Sequence, residues 1–143
     1  MKVEFRAIGT GPANWLVLAD ESAAPLNARI SGWQPRFSSS PQEEPGFNAP
    51  GVAVFDNGNG KWTVGFLVER FHTTADAALT FLATHSPAVA GLGNVDLKIT
   101  VGGAITFLVA AACTEITPEP HSDQNTRIRY TFTSGLYTNT NQP

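Results

Sequence analysis

The chain has 143 residues, enough for one domain with its own apolar core. Hydrophobic residues make up 42% and charged residues 15%, against roughly 25% charged in an average soluble domain. That balance excludes disorder. It also implies a surface partly covered by something other than water, as in a protomer of an obligate assembly; a monomer with a neutral Thr/Ser/Asn-rich surface accommodates the same composition.

Nine basic and twelve acidic residues give a net charge of −3 without a basic cluster, which argues against specific nucleic-acid binding. The single cysteine, Cys113, rules out an internal disulfide framework and reads as a buried structural thiol within the apolar run 107–113. Met1-Lys2-Val3-Glu4-Phe5 has no signal-peptide pattern, and the longest apolar stretch, 104–113, is too short to span a membrane. Synthesis in the cytosol and no membrane partner are the expectation.

Residues 2–7 alternate polar with apolar, the period of a half-buried strand, before Gly9-Thr10-Gly11-Pro12 breaks it. Strands are predicted at 15–18 and 28–33, with a turn between them around Pro25. Residues 34–50 then change character: Pro35, Pro41, Pro45, the Ser38-Ser39-Ser40 run and Glu43-Glu44 predict a long polar loop with no regular element. Loops of that length in compact domains usually carry function. Phe37 and Phe47 sit within it, which suggests an arm that docks on a neighbouring subunit; an excursion tucked back onto its own domain is the competing reading.

Residues 51–55 and 62–68 read as two strands of a hairpin joined by Asp56-Asn57-Gly58-Asn59-Gly60, with Trp62, Val64, Phe66 and Val68 on one face. A helix of about three turns follows at about residues 74–85. Thr73 or Thr74 is its cap, Asp76 lies in its first turn, Ala75, Ala78, Leu79 and Leu82 form a stripe flanked by Phe81, and His85-Ser86-Pro87 ends it. Next, 95–101 alternates cleanly, and Gly102-Gly103 makes a two-residue turn. The return strand 104–116 is apolar on both parities, so both faces should be covered. After a loop at Pro118-Glu119-Pro120, residues 127–133 form a last strand and 139–143 a polar tail.

No reaction chemistry is legible. His72, His85 and His121 share no metal-ligand spacing with one another or with Cys113, and His85 is explained by the dipole at a helix C-terminus. Asp56, Asn57 and Asn59 are hairpin residues without the spacing of a calcium loop. Gly9-Thr10-Gly11 and Gly91-Leu92-Gly93 are only fragments of a dinucleotide fingerprint, and no nucleophile elbow occurs. The expectation is no enzyme, no cofactor and no metal. Three tryptophans leave a carbohydrate- or receptor-binding module as the alternative, with Trp15 or Trp33 as a stacking platform and Trp62 assigned to the core.

The order of elements matters: strands, a long polar loop, a hairpin, the helical segment 73–85 after Phe66-Leu67-Val68-Glu69-Arg70-Phe71, a hairpin through Gly102-Gly103, and a closing Arg129-Tyr130-Thr131-Phe132. This pattern, over residues 61–137, resembles the bacteriophage and prophage tail-tube and distal-tail superfamily. The resemblance implies two packed antiparallel sheets, sandwich- or barrel-like, with one flanking helix in a mainly β (α+β) single domain, 1–143. It further implies a structural virion protein without catalytic residues, made in the bacterial host cytoplasm. Self-assembly would give a homo-oligomeric ring, six-fold in the family, through strand edges and the 34–50 arm, with neighbouring tail proteins as partners. Trp15, Trp33, Phe37 and Phe47 are the expected interface residues. At about 25 cal/mol per Å² of apolar surface, a standard-size interface is ample to hold such a ring.

Overall fold

The structure, a computed structural model, describes residues 1–8, 10–22, 28–39, 42–45, 52–55, 60–120 and 124–140. Along the chain run β1 (Lys2–Ala7), β2 (Leu16–Asp20), β3 (Ala28–Ser39), β4 (Gln42–Pro45), β5 (Val52–Phe55), β6 (Gly60–Phe71), α1 (Ala75–Ala90), β7 (Asn94–Val101), β8 (Ala104–Pro120), β9 (Asn125–Ser134) and β10 (Leu136–Thr138). The chain is mainly β with one flanking helix, as its patterning predicts.

The expected two sheets are joined into one. Eight strands form a continuous antiparallel sheet in the order β2-β1-β7-β8-β9-β6-β3, with β10 beside β8; β4 and β5 pair separately as a ribbon. The cause is the length of β8. Its residues 104–112 pair with β7 and its residues 112–120 pair with β9, so one strand serves both halves. Strands switch between layers in this way at bulges, and β8 has register shifts opposite Val95/Leu97 and at Cys113/Glu115. The sheet curls until its two ends approach without pairing: Arg70 of β6 donates to the Leu18 carbonyl at 2.8 Å, and the Ile30 N–H donates to the Glu21 carboxylate at 2.6 Å.

Inside the curl, Val3, Val64, Phe66, Val68, Leu97, Ile99, Leu108, Ile128, Tyr130 and Phe132 are buried. Helix α1 makes the crossing from β6 to β7 over the two intervening strands, β8 and β9. Thr74 caps it by accepting from the Ala77 N–H at 3.1 Å, and Asp76 stands in the first turn.

At the first bulge of β8, Ala110 adopts φ +52. A Cβ is disfavoured there by about 1–2 kcal/mol. What holds it is Asp96, whose Oδ1 accepts from the Ala110 N–H at 3.0 Å while its Oδ2 pairs with Arg6 at 3.2 Å. Ala110→Gly is therefore expected to raise stability by about 0.5–1 kcal/mol in urea unfolding.

Several sequence expectations are corrected. Residues 34–50 are not without regular structure: β3 continues through Ser39, paired with β6 up to Gly60, and β4 occupies 42–45. Pro35 fits because β3 has β6 on one side only, and an edge strand tolerates a missing N–H on its open side. The same holds for Pro118 and Pro120, predicted as a loop but paired with β9; two residues apart, their missing donors fall on the same side. Residues 52–55 pair with β4, and not with 62–68 as predicted; β6 pairs with β3 and β9. The turn at 56–59 lies outside the described residues.

The helix runs past Pro87 to Ala90, ending where the Gly91 N–H bonds to the Pro87 carbonyl at 2.9 Å. Val89, buried in the core, anchors that last turn. Leu79, assigned to the packed stripe, is 60% exposed; the face that packs holds Ala78, Phe81, Leu82, His85 and Val89.

Candidate functional site

Assembly surfaces are built from what a chain leaves unpaired. In this sheet β2 and β3 stand at the two ends, each with one unpaired side. Leu16 and Val17 of β2 are 59% and 54% exposed, an apolar pair on an edge strand.

At the other end, β3 and β6 form a long antiparallel hairpin that closes on itself through the β4–β5 ribbon. Residues 34–38 are exposed on both faces of the strand. Phe37, 57% exposed, does not hang from a loop as expected. It lies 5.2 Å from the ring of its cross-strand partner Trp62, which stacks in turn on Tyr137 at 4.8 Å. Gly60 makes room for it: a Cβ at that position would stand 2.3 Å from the Phe37 ring. The result is an aromatic row, Phe37-Trp62-Tyr137, facing outward from the root of the hairpin.

The other predicted interface residues are dispersed. Trp33 follows Gly32 (φ +65) at the β3 register shift and sits 5.9 Å from Phe66, half-buried against the core. Trp15 lies across the far end of the sheet, over Arg6 at 4.4 Å and Lys98 at 4.6 Å and beside Phe107 at 6.2 Å. It covers a charged layer on the outer face of β1 and β7, in which Lys98 pairs with Glu4 at 3.1 Å and Arg6 with Asp96. Phe47 lies outside the described residues.

His85 and His72 serve packing, and His121 lies outside the described residues. His85 is not at the helix end, where the dipole would hold it charged. From the middle of α1 its Nε2 meets the Tyr130 hydroxyl at 2.6 Å, and its ring stacks on Phe81 at 4.5 Å. Burial, reinforced by the nearby Arg70 cation, pulls it down to about 4, and burial pushes Tyr130 up to about 12. His72, bonded to the Thr126 hydroxyl at 3.0 Å, is lowered by the same two causes.

An unfolded histidine takes up its proton near pH 6.5, whereas folded His85 resists until about 4. The unfolded state thus binds more protons in that window. Stability is expected to fall as pH drops from 6.5 toward 4, by on the order of 2 kcal/mol once partial exposure is allowed for. His85→Gln should remove most of the slope in urea titrations across that range, with His72 leaving a small residue.

Cys113 is half-buried behind the helix, and burial raises its thiol, in keeping with a structural role. Among the described residues no group of three His, Cys, Asp or Glu side chains could hold a metal ion.

Sequence reasoning missed Arg70. Its signal was present: it continues the inward row Val64, Phe66, Val68 by one more alternate position.

No protein-family model matches the chain, and no curated protein matches it. Solved structures do. One is a chain from the tail of an empty GTA particle, refined helically with C6 symmetry; it covers 96% of this chain and 93% of that one at TM-score 0.53 and 10% identity. A second, from the virion of a native gene transfer agent (GTA) particle, covers 95% and 93% at TM-score 0.44 and 11% identity. The fold of this chain, over nearly its whole length, is the fold of the first.

Proposed function

We propose that the chain is a non-enzymatic structural protomer of a phage-like tail, resident in the virion. It assembles with copies of itself into rings and stacks on neighbouring tail proteins. The observation that carries this reading is the likeness of its fold, over 96% of its length, to a chain from the tail of a GTA particle computed with C6 symmetry. The molecule's own surfaces support it. Apart from the Leu18 carbonyl and the Ile30 N–H, which bond within the chain, the edges of β2 and β3 have no strand partner, and pairing edge to edge around a closed ring removes that liability.

In this reading the hairpin through residues 34–50 is the inter-subunit arm, with Phe37 at its root as the central contact and Trp33 and Trp15 contributing their exposed portions. Phe47 belongs to the same arm. Six subunits per ring is the symmetry proposed, and the tube or distal-tail position the role. The low charge of the chain, 15%, fits a surface of which a large part is subunit interface.

Size-exclusion chromatography with light scattering over a concentration series tests it. A discrete species near six times the 15.2 kDa chain mass, or an open-ended tube, is expected. A strict monomer at every concentration counts against the proposal.

A further inference from the structure

Where the two ends of the curled sheet approach beneath α1, they leave a cavity of about 590 Å³. That is a volume in the range of small-molecule sites, about 300–1,000 Å³. Its walls are of mixed character: Val17 and Leu18 from β2, Phe71 from β6 and Phe81 from the helix are apolar, and Arg70, His72 and His85 are its basic groups.

Arg70 is 8% exposed. Nη2 donates to the Leu18 carbonyl, and the guanidinium lies 5.0 Å from the Phe81 ring and 5.6 Å from that of Tyr130. Nη1 is buried and has no hydrogen-bond partner, and no carboxylate pairs with this cation among the described residues. Among the described residues the one carboxylate that lines the cavity, Asp20, is turned to the Ser22 N–H and hydroxyl. Among the described residues two other buried or half-buried cations are matched, Arg6 by Asp96 and Lys98 by Glu4. An unmatched buried cation costs several kcal/mol, and the usual remedy is a counter-ion.

We infer that the cavity takes a carboxylate carrying an apolar body, its charge paired with the Arg70 guanidinium that lines the cavity and its body lying against Val17, Phe71 and Phe81. A carboxylate fits better than a phosphate. A single positive charge stands ready, both histidines are held neutral in their bonds to Thr126 and Tyr130, and a second negative charge would face Asp20. The carboxylate belongs either to a free organic acid or to a neighbouring chain. The inference stands independently of the tail assignment, since it needs only the fold.

The test is a titration of the full chain, dilute enough to be monomeric, with benzoate, acetate and inorganic phosphate, read by NMR of the His72 and His85 rings and by thermal melting. Benzoate is expected to saturate, shift both ring signals and raise the melting midpoint, about ten-fold more tightly than acetate. Arg70→Met should weaken benzoate by about ten-fold or more. Val17→Asp, at an exposed wall position that leaves the core intact, should do the same by charge repulsion and serves if the first variant does not fold. Light scattering of the concentrated protein then separates the sources. Dissociation by benzoate means that a neighbour's carboxylate normally fills the site; unchanged mass means a free acid does. Absence of saturable benzoate binding to the folded monomer, or binding indifferent to both substitutions, overturns the proposal.

Discussion

Phe66→Ala is expected to destabilise the domain by about 3–5 kcal/mol, the range for truncating a buried aromatic. Phe66 is fully buried in the middle of β6, with ring centroids of Tyr130 at 5.4 Å, Trp33 at 5.9 Å and Phe132 at 6.1 Å. Those partners come from two neighbouring strands, β9 and β3, so the cavity left behind cannot be closed by one side chain moving. With total stabilities of about 5–15 kcal/mol, the loss is a large fraction. The thermal midpoint should drop by roughly 10–15 °C, as read by circular dichroism. Phe37→Ala is the control: its ring is 57% exposed, and about 1 kcal/mol or less is expected. Equal costs at the two positions would show that the core does not lie where the structure puts it.

The second large effect concerns assembly. Because Ser39 and Gly60 are paired across β3 and β6, residues 40–59 can be excised and replaced by Asn-Gly, closing the ladder with a two-residue turn in register. The shortened chain should keep the parent's circular dichroism spectrum and melt within a few degrees of it, since no described core residue is removed. Self-association should weaken by about 100-fold or more, equivalent to about 3 kcal/mol of lost contact at the arm. Association at the parent's strength, measured by analytical ultracentrifugation, would remove the arm from the account and leave the strand edges alone.

How much of this was legible in the sequence follows from the range of the interactions involved. Alternation placed β1, β7 and β9 within a few residues, because a half-buried strand writes its environment in every second side chain. Gly102 and Gly103 both take positive φ, +54 and +87, as a two-residue turn requires. The apolar run of β8 predicted burial on both faces, which holds at Phe107 and Leu108 but not along the strand: Ala104, Ala110, Thr114 and Glu115 are exposed, and Ile105 is 44% exposed.

Three things lay beyond local pattern. Proline was read as a breaker at 35, 87 and 118, but a proline's effect depends on whether its missing N–H faces a partner, which only the sheet order decides. Residues 52–55 lie between two segments equally near in sequence, and the Asn-Gly signal on their C-terminal side pointed to 62–68 where the structure pairs them with 42–45. The unmatched charge of Arg70 arises from β2, β6 and α1 meeting at the mouth of the sheet, a coincidence that no window of sequence contains. At the predicted interface, Phe37 is exposed in the structure, whereas Trp15 and Trp33 are each partly spent on contacts within the chain. Aromatic residues mark a need for cover without saying whether the cover is intramolecular.

The most direct test of the central claim, that this chain is a tail protomer completed by its neighbours, is electron microscopy of the purified protein at high concentration. Rings or stacked tubes with six-fold class averages, joined at the β2 and β3 edges and by the hairpin arms, are the predicted result. Fields of separate single-chain particles, with no contact between copies, would contradict it.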